Sequence, residues 1–207
     1  MNHILYPEHS GILPSQARQA FREGAQLVTV RCIGGSNALL ALFENRAGQC
    51  VMRLCCDACI GKAGAGKRRE GDMKTPLGTF PLNMPFGLLP FPDERAPLAG
   101  HYLRVTPDHY WCGQNGAHYN RLIDASRAPD RWQPSPADEH LCDYVPSYHY
   151  ALFIGYNAEG VSGRGSAIFL HCTGKYPYTA GCVAVSQDNM RRLLCLLGED
   201  ARICIFE

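Results

Sequence analysis

The chain lacks a long apolar run, an excess of charge of one sign, and any internal repeat. A membrane-spanning helix needs an apolar run of about 18 residues or more, so the sequence predicts no membrane span. The 20 Lys and Arg side chains nearly balance the 19 Asp and Glu side chains, for a formal net charge of +1. This balance offers no general attraction for nucleic acid or an anionic membrane, and we expect neither as a partner.

No secretory signal peptide is predicted either, because residues 1–9 contain neither a basic segment nor an apolar one. The 11 cysteines are an odd number, so at least one of them stays outside any internal disulfide. Several, including Cys172 and Cys204, lie in apolar runs, where a buried thiol acts as a small hydrophobe. These features predict a cytoplasmic protein whose thiols stay reduced.

The composition is typical of a globular, mainly β protein. Hydrophobic residues make up 46% of the 207 residues and charged residues 19%. The chain is therefore long and apolar enough for one domain, residues 1–207, and two small domains are the less favoured alternative. The 21 glycines and 14 prolines predict many turns and argue against a helical bundle.

Local hydrophobic patterns place the strands. Residues 25–32 alternate like a half-buried strand. The apolar runs 38–44 and 49–56 flank a turn at residues 45–48, which predicts a hairpin. Further strands are predicted at residues 148–156, 166–172 and 201–206.

One helix and two long loops complete the local prediction. Ser186 can cap a helix that Gly198 ends. Four apolar residues recur on one face of that helix: Met190, Leu193, Leu194 and Leu197. Residues 84–100 hold four prolines, so we expect an ordered loop there and not a central strand. The polar stretch 124–147 is expected to form another loop.

Two motifs with a possible chemical meaning are incomplete. Residues 61–68 follow most of a phosphate-binding loop, but Arg68 stands where a Ser or Thr would hold Mg²⁺, and Pro76 follows in place of a helix. We therefore predict a basic loop and no nucleotide site. Cys56 and Cys59 have the spacing of a zinc pair, but no second pair completes four ligands, so neither a metal nor a cofactor is expected.

A third candidate joins His171, at the end of an apolar strand, with Cys182, at the start of another. The intervening loop is long enough to bring the two side chains together. An imidazole beside a thiol can take its proton and so activate it as a nucleophile. Gly181 would let a substrate approach the backbone closely. On spacing alone, a core cysteine and a hydrogen-bonded structural histidine are the default interpretation.

The residues around this pair resemble the catalytic domain of the L,D-transpeptidase family, also called the YkuD domain. Residues 71–80 are similar to the family's G-D-x-x-T-P-x-G-x-F segment, residues 169–171 to its histidine strand, and residues 179–183 to its nucleophile segment. The three pieces occur in the family's order, and the resemblance covers roughly residues 25–207.

The resemblance implies a mainly β fold of mixed curved sheets, in a barrel or sandwich, with one short C-terminal helix. It implies that Cys182 attacks a peptide carbonyl in a peptidoglycan stem peptide, with His171 as the general base. The amides of Gly181 and Cys182 would form the oxyanion hole. The resulting thioester would be resolved by an amine in transpeptidation, or by water in an L,D-carboxypeptidase or amidase. No cofactor is implied.

The sequence departs from the family's common motif, Ser-His-Gly-Cys followed after one residue by Arg. Thr179 and Ala180 replace the Ser-His pair, and Ala184 stands at the arginine position. This is similar to a divergent branch of the family with a Thr-Ala-Gly-Cys motif. Arg164 and Arg121 are candidate anchors for a substrate carboxylate, and a surface role is equally expected for each.

Aromatic and amide side chains supply candidates for a substrate groove. Tyr176, Tyr178 and Thr179 lie beside the nucleophile segment. Trp111, Tyr119 and Asn120 form a second cluster, for which packing against the sheet is an equally good interpretation.

Three functions remain open at this point. The leading one is an L,D-transpeptidase acting on cell-wall peptides, and the second is a hydrolase of the same peptides. The third is a non-catalytic peptidoglycan-binding module, which the missing arginine suggests. The family acts at the cell wall, outside the membrane, in contrast to the cytoplasmic location predicted from the residues.

Overall fold

The computed structural model describes residues 25–128 and 132–207, so the prediction for residues 1–9 lies outside it. The described residues form one α-helix, α1 (Gln187–Leu196), several short 3-10 turns and twelve strands. The strands are β1 (Gln26–Gly34), β2 (Asn37–Arg46), β3 (Gln49–Cys59), β4 (Gly78–Gly87), β5 (Leu103–Arg104), β6 (His109–Trp111), β7 (Leu122–Asp124), β8 (Glu139–His140), β9 (Ala151–Ile154), β10 (Phe169–Cys172), β11 (Val183–Val185) and β12 (Arg202–Phe206). Among these residues no helix is long and apolar enough to cross a membrane.

Nine strands form one mixed sheet in the order β12-β1-β2-β3-β11-β10-β9-β4-β5. Strand β12 also pairs with β4, so eight of the strands close into a barrel and β5 lies outside it, beside β4. The pairs β1–β12, β10–β11 and β4–β5 are parallel, and the other pairs are antiparallel. A separate small sheet has the order β7-β6-β8. The mainly β fold of mixed curved sheets is confirmed.

The main hydrophobic core joins the barrel strands to α1. Fully buried side chains from β1, β2, β9 and β10, such as Val28, Leu40 and Leu170, pack together with the helix. The predicted face of α1 is confirmed, because Met190, Leu193, Leu194 and Leu197 are all fully buried. The predicted cap is confirmed as well, since the Asn189 amide donates to Ser186 Oγ at 3.3 Å.

The expectation of a loop from residue 84 onward is wrong for residues 84–87, which complete strand β4. This strand is paired on both of its sides, with β9 on one and with β5 and β12 on the other. Pro85 is tolerated because the register against β9 jumps between Asn83 and Pro85, with Met84 at a φ of 48°. Such a bulge removes the need for a proline N–H in the ladder.

The other predicted boundaries shift by a few residues. The hairpin at residues 38–56 is confirmed as β2 and β3, whereas β9 and β10 are shorter than predicted. The expected loop at residues 124–147 contains the short strand β8, which pairs with β6. This strand matters for the site because it fixes the backbone at Glu139.

Candidate active site

Strands β10 and β11 bring Cys182 and His171 to one pocket. The two strands are parallel neighbours in the register Leu170↔Val183. Cys182 directly precedes β11, so it lies level with the start of β10. There the Phe169 amide donates to Cys182 Sγ at 3.3 Å, and the thiol donates to the Ala167 carbonyl at 3.2 Å. Both Cys182 and His171 line the pocket, and each is only 8% exposed.

The backbone before the nucleophile requires glycine. Gly181 has a φ of 154°, and a Cβ there would lie 2.9 Å from the carbonyl oxygen of Lys74. Any larger residue would push the loop that holds Lys74 away from the nucleophile segment.

The His171 ring is held in the tautomer that a general base needs. Its Nδ1 lies 2.7 Å from the Cys172 carbonyl oxygen, so Nδ1 carries the proton and donates it to that oxygen. The other ring nitrogen, Nε2, then has its lone pair available. Desolvation lowers the pKa of His171 from 6.5 to about 4, partly offset by the hydrogen bond to Cys172. The imidazole is therefore neutral at pH 7 and can accept a proton.

The Cys182 thiol is also neutral at rest. Desolvation, followed by the charge of Glu139, raises its pKa from 9.0 to about 12, while the Phe169 amide and the charge of Lys67 act in the opposite direction. A preformed thiolate–imidazolium pair is therefore disfavoured at neutral pH. Any reaction at this thiol would therefore require a group that takes up its proton.

Two threonine hydroxyls orient the nucleophile's backbone. Thr75 and Thr179 donate to the Cys182 carbonyl oxygen at 3.2 Å and 2.7 Å. Thr75 is fully buried, and its Oγ1 also accepts the Gly61 amide at 2.8 Å. The Gly181 amide donates to Thr179 Oγ1 at 3.1 Å, so this expected oxyanion-hole donor is already occupied in the resting structure.

A buried ion pair lies behind the nucleophile segment. Lys67 Nζ lies 3.0 Å from Asp72 Oδ1 and would be 3.5 Å from a Cβ placed on Gly181. Burial alone would raise the pKa of Asp72, but hydrogen bonds from the Arg68, Arg69 and Lys74 amides and from Lys67 hold it well below its usual range. Lys67 thus supplies a cation near Cys182, in a protein with Ala184 at the motif's arginine position.

The pocket beside Cys182 has a volume of about 180 Å³. Four tyrosines and one carboxylate dominate its walls. The lining residues are Cys59, Glu139, Tyr144, Ser147, Tyr148, His171, Gly174, Lys175, Tyr176, Tyr178, Thr179, Ala180, Cys182 and Ala184. The presence of Ala184 in this set shows that the space next to that position is open.

The predicted substrate residues divide between the pocket and the core. Tyr176, Tyr178 and Thr179 line the pocket. Trp111, Tyr119 and Asn120 are at most 2% exposed, and Trp111 Nε1 donates to Asn120 Oδ1 at 2.8 Å. This second cluster therefore packs against the sheet and is closed to a substrate.

Neither candidate arginine lines the pocket. Arg164 and Arg121 are both exposed. Arg121 Nη1 donates to the Ala158 carbonyl at 2.6 Å, and the Arg164 carbonyl accepts the Tyr156 hydroxyl at 2.8 Å. These contacts stabilise a loop that lies outside the pocket beside Cys182.

Several site residues have only a weak sequence signal or none. Thr75 belongs to the G-D-x-x-T-P segment, so its position in the motif was the available clue. Lys67 and Glu139 lie in stretches whose composition is typical of loops. Tyr148 lies in a 3-10 turn before β9 and belongs to no recognised sequence motif.

One group of side chains in the described ranges has ligand atoms within 4.8 Å of one another: His140, Cys142 and Asp143. Both ring nitrogens of His140 already have protein partners, Asp143 at 3.0 Å and the Pro107 carbonyl at 2.7 Å. This set is therefore a poor metal site unless His140 first gives up one of these contacts.

Comparison with known proteins supports one family. Residues 32–203 match the family model described as YkuD, the L,D-transpeptidase catalytic domain. No curated protein matches the chain significantly.

Solved structures with a similar fold have low sequence identity. A variant of the helical cell shape determining protein Pgp2 from Campylobacter jejuni is 14% identical, with a TM-score of 0.50 over 89% of this chain and 48% of that one. Bd1075 from Bdellovibrio bacteriovorus is 18% identical, with a TM-score of 0.45 over 91% and 49%. An Enterococcus faecium L,D-transpeptidase is 12% identical, with a TM-score of 0.38 over 90% and 50%. The chain thus spans about half the length of the solved chains it matches.

Proposed function

This chain belongs to the YkuD family of L,D-transpeptidase catalytic domains, and on that premise we propose that it is a cysteine-dependent acyl transferase acting on peptidoglycan stem peptides. One observation carries the proposal: a buried thiol and a neutral imidazole line the same pocket at the ends of two parallel strands. Cys182 is the nucleophile and His171 the general base. The wall substrate is inferred from the family, and the reaction type from the chemistry of the pair.

In the first half-reaction, Cys182 Sγ attacks the carbonyl carbon of a stem-peptide bond while His171 Nε2 takes the thiol proton. The tetrahedral oxyanion then collapses. The C–N bond breaks, the imidazolium proton goes to the departing amine, and a thioester remains on Cys182. An acceptor amine, or water, attacks the thioester and returns the thiol.

The charges around the pair fit this order of events. Neither partner is ionised at rest, so the reaction creates charge that the site has to stabilise. Lys67, buried and close to Gly181, supplies a positive field next to the nucleophile. The Cys182 amide remains a candidate oxyanion donor, whereas the Gly181 amide must first be released by Thr179.

The test is mass spectrometry of muropeptides incubated with the wild type, Cys182→Ala, His171→Gln and the control Cys195→Ala. We expect exchanged or cross-linked stems with the wild type and the control, at least about 1000-fold less product with Cys182→Ala, and an acyl adduct on wild-type Cys182. Cys195 is a suitable control because it lies on α1, away from the pocket.

The alternatives give different products. Shortened stems without dimers, in the absence of an amine, would identify an L,D-carboxypeptidase or amidase using the same thioester. Binding to sacculi with unchanged muropeptides would favour the non-catalytic module. Equal activity of Cys182→Ala and the wild type would overturn the proposed nucleophile.

A further inference from the structure

Glu139 is a carboxyl group inside the reaction pocket that the thioester chemistry does not use. It lies on β8, held by the register Trp111↔Glu139, and lines the same pocket as Cys182 and His171. Its Oε2 accepts the Tyr148 hydroxyl at 2.5 Å. The pocket leaves the side chain partly accessible to solvent, although protein atoms surround it closely.

Within the ranges 25–128 and 132–207, none of the ion pairs involves the Glu139 carboxylate. Desolvation raises its pKa from 4.5 to about 7, with the Tyr148 hydroxyl acting against this rise and Glu70 adding to it. Keeping such a group unpaired is unfavourable for the fold. A ligand that brings its own positive charge would remove that penalty.

The walls of the pocket favour the same kind of ligand. Four of the lining residues are tyrosines, in two stacked pairs: Tyr144–Tyr148 at 4.8 Å and Tyr176–Tyr178 at 5.3 Å. Aromatic faces attract cations. The Tyr176–Tyr178 pair already has protein cations beside it, since Lys62 Nζ lies 5.2 Å from the Tyr178 ring and Lys175 Nζ lies 5.5 Å from the Tyr176 ring.

We propose that Glu139, with Tyr144 and Tyr148, forms a subsite for a primary ammonium group of the peptide held beside Cys182. The inference rests on the proposed function, because it assigns one feature of that reaction's substrate. The ammonium group belongs either to the acyl donor, as a side-chain amine, or to the acceptor. Both sources present the same chemistry to Glu139, and separate assays distinguish them.

The donor assay compares two stem peptides that differ only in a free or an acetylated side-chain amine, hydrolysed without an acceptor. The acceptor assay measures the KM of a small primary amine with an acetylated donor. If the donor supplies the ammonium group, we expect the wild type to favour the free over the acetylated donor at least tenfold, and Glu139→Gln to reduce this preference below about threefold. If the acceptor supplies it, we expect Glu139→Gln to raise the KM of the amine at least tenfold. Glu159→Gln, on an exposed turn, is the matched control.

A binding measurement does not depend on turnover. We expect n-butylamine to bind to Cys182→Ala. It should bind at least tenfold more weakly to Cys182→Ala/Glu139→Gln, and several-fold more weakly to Cys182→Ala/Tyr144→Leu. Acetamide, which has similar size and no charge, should not compete.

The outcomes separate the two proposals. The subsite is overturned if an active wild type treats free and acetylated amines alike and Cys182→Ala binds n-butylamine no better than Cys182→Ala/Glu139→Gln does. This result leaves the transferase proposal intact. An inactive wild type that still binds n-butylamine through Glu139 overturns the transferase and keeps the cation site.

Discussion

Lys67 shows how a charge near the nucleophile can come from a distant part of the sequence. The family's motif has an arginine two residues after the cysteine, and Ala184 stands there in this chain. Lys67 instead reaches the nucleophile segment from the loop before β4, where Asp72 holds its ammonium group at 3.0 Å. A cation thus lies near Cys182 although the motif's arginine is missing, and a salt bridge holds it in position.

Replacing Lys67 by Met should slow alkylation of Cys182. Loss of the positive charge removes a contribution that lowers the thiol's pKa, so less thiolate is present at any given pH. We expect the rate of iodoacetamide labelling at Cys182, measured by peptide mass spectrometry at pH 9, to fall several-fold.

Arg68→Met is the control, because this side chain is in the same loop and exposed. Since Asp72 loses its partner in Lys67→Met, the double variant with Asp72→Asn separates a charge effect from loosened packing. A double variant that labels as fast as the wild type would contradict the electrostatic role.

His171 and Glu139 should oppose each other in the pH dependence of stability. The pKa of His171 is lowered from 6.5 to about 4, so its contribution is present above pH 6.5 and is lost as the pH falls to 4. The pKa of Glu139 is raised from 4.5 to about 7, so its contribution is present below pH 4.5 and is lost as the pH rises to 7.

Single variants should reveal the separate contributions of His171 and Glu139 to the pH dependence of stability. In urea unfolding between pH 4.5 and 6.5, Glu139→Gln should gain stability with rising pH and His171→Gln should lose it, each by at most about 1.4 kcal/mol per pH unit. The wild type should have a shallower slope than either. Parallel curves for all three proteins would show that these two groups do not titrate differently on unfolding.

Among single residues, the sequence identified the Cys182–His171 pair more readily than the charged groups around it. Cys182, His171 and Gly181 stand in a recognisable motif, and the structure brings the cysteine and histidine to one pocket. Lys67 and Glu139 could not be found in this way. Their roles depend on how loops fold back onto the barrel, and no local pattern records that.

Among the elements, α1 was the most predictable because its signals are local. A capping serine and four apolar residues on one face lie within 12 positions of sequence, residues 186–197. The helix ends at Leu196 because Leu197 is already extended, so the predicted role of Gly198 as the terminating residue is wrong. Strand β4 was the least predictable, since prolines normally exclude a strand that is paired on both sides. The bulge at Met84 that makes Pro85 acceptable depends on the partner strand β9.

The cap of α1 gives a direct test at this scale. Ser186→Ala removes the acceptor for the Asn189 amide and should lower the free energy of unfolding by about 1 kcal/mol, measured in urea. Ser186→Asp keeps an acceptor and should stay within about 0.5 kcal/mol of the wild type. Equal losses for both variants would mean that the hydroxyl has another role.

For the whole molecule, composition and the alternation of apolar and polar residues indicated a mainly β fold. They did not predict that the sheet closes into a barrel. Closure depends on β12, which pairs with β1 on one side and β4 on the other. Each strand is recognisable by itself from its apolar residues. Their pairing is a long-range property, and the family resemblance implied only mixed curved sheets in a barrel or sandwich.

The same closure governs how fast the fold can form. Leu27 pairs with Arg202, so the ends of the described chain must meet across 175 positions before the parallel ladder of β1 and β12 gains any hydrogen bond. Contacts between residues so far apart in sequence carry a high entropic cost before they contribute energy, and proteins rich in them fold in milliseconds to seconds. The hairpin of β2 and β3 closes over a two-residue turn and needs no such search. Folding should therefore begin at this hairpin and end at the seam between β1 and β12.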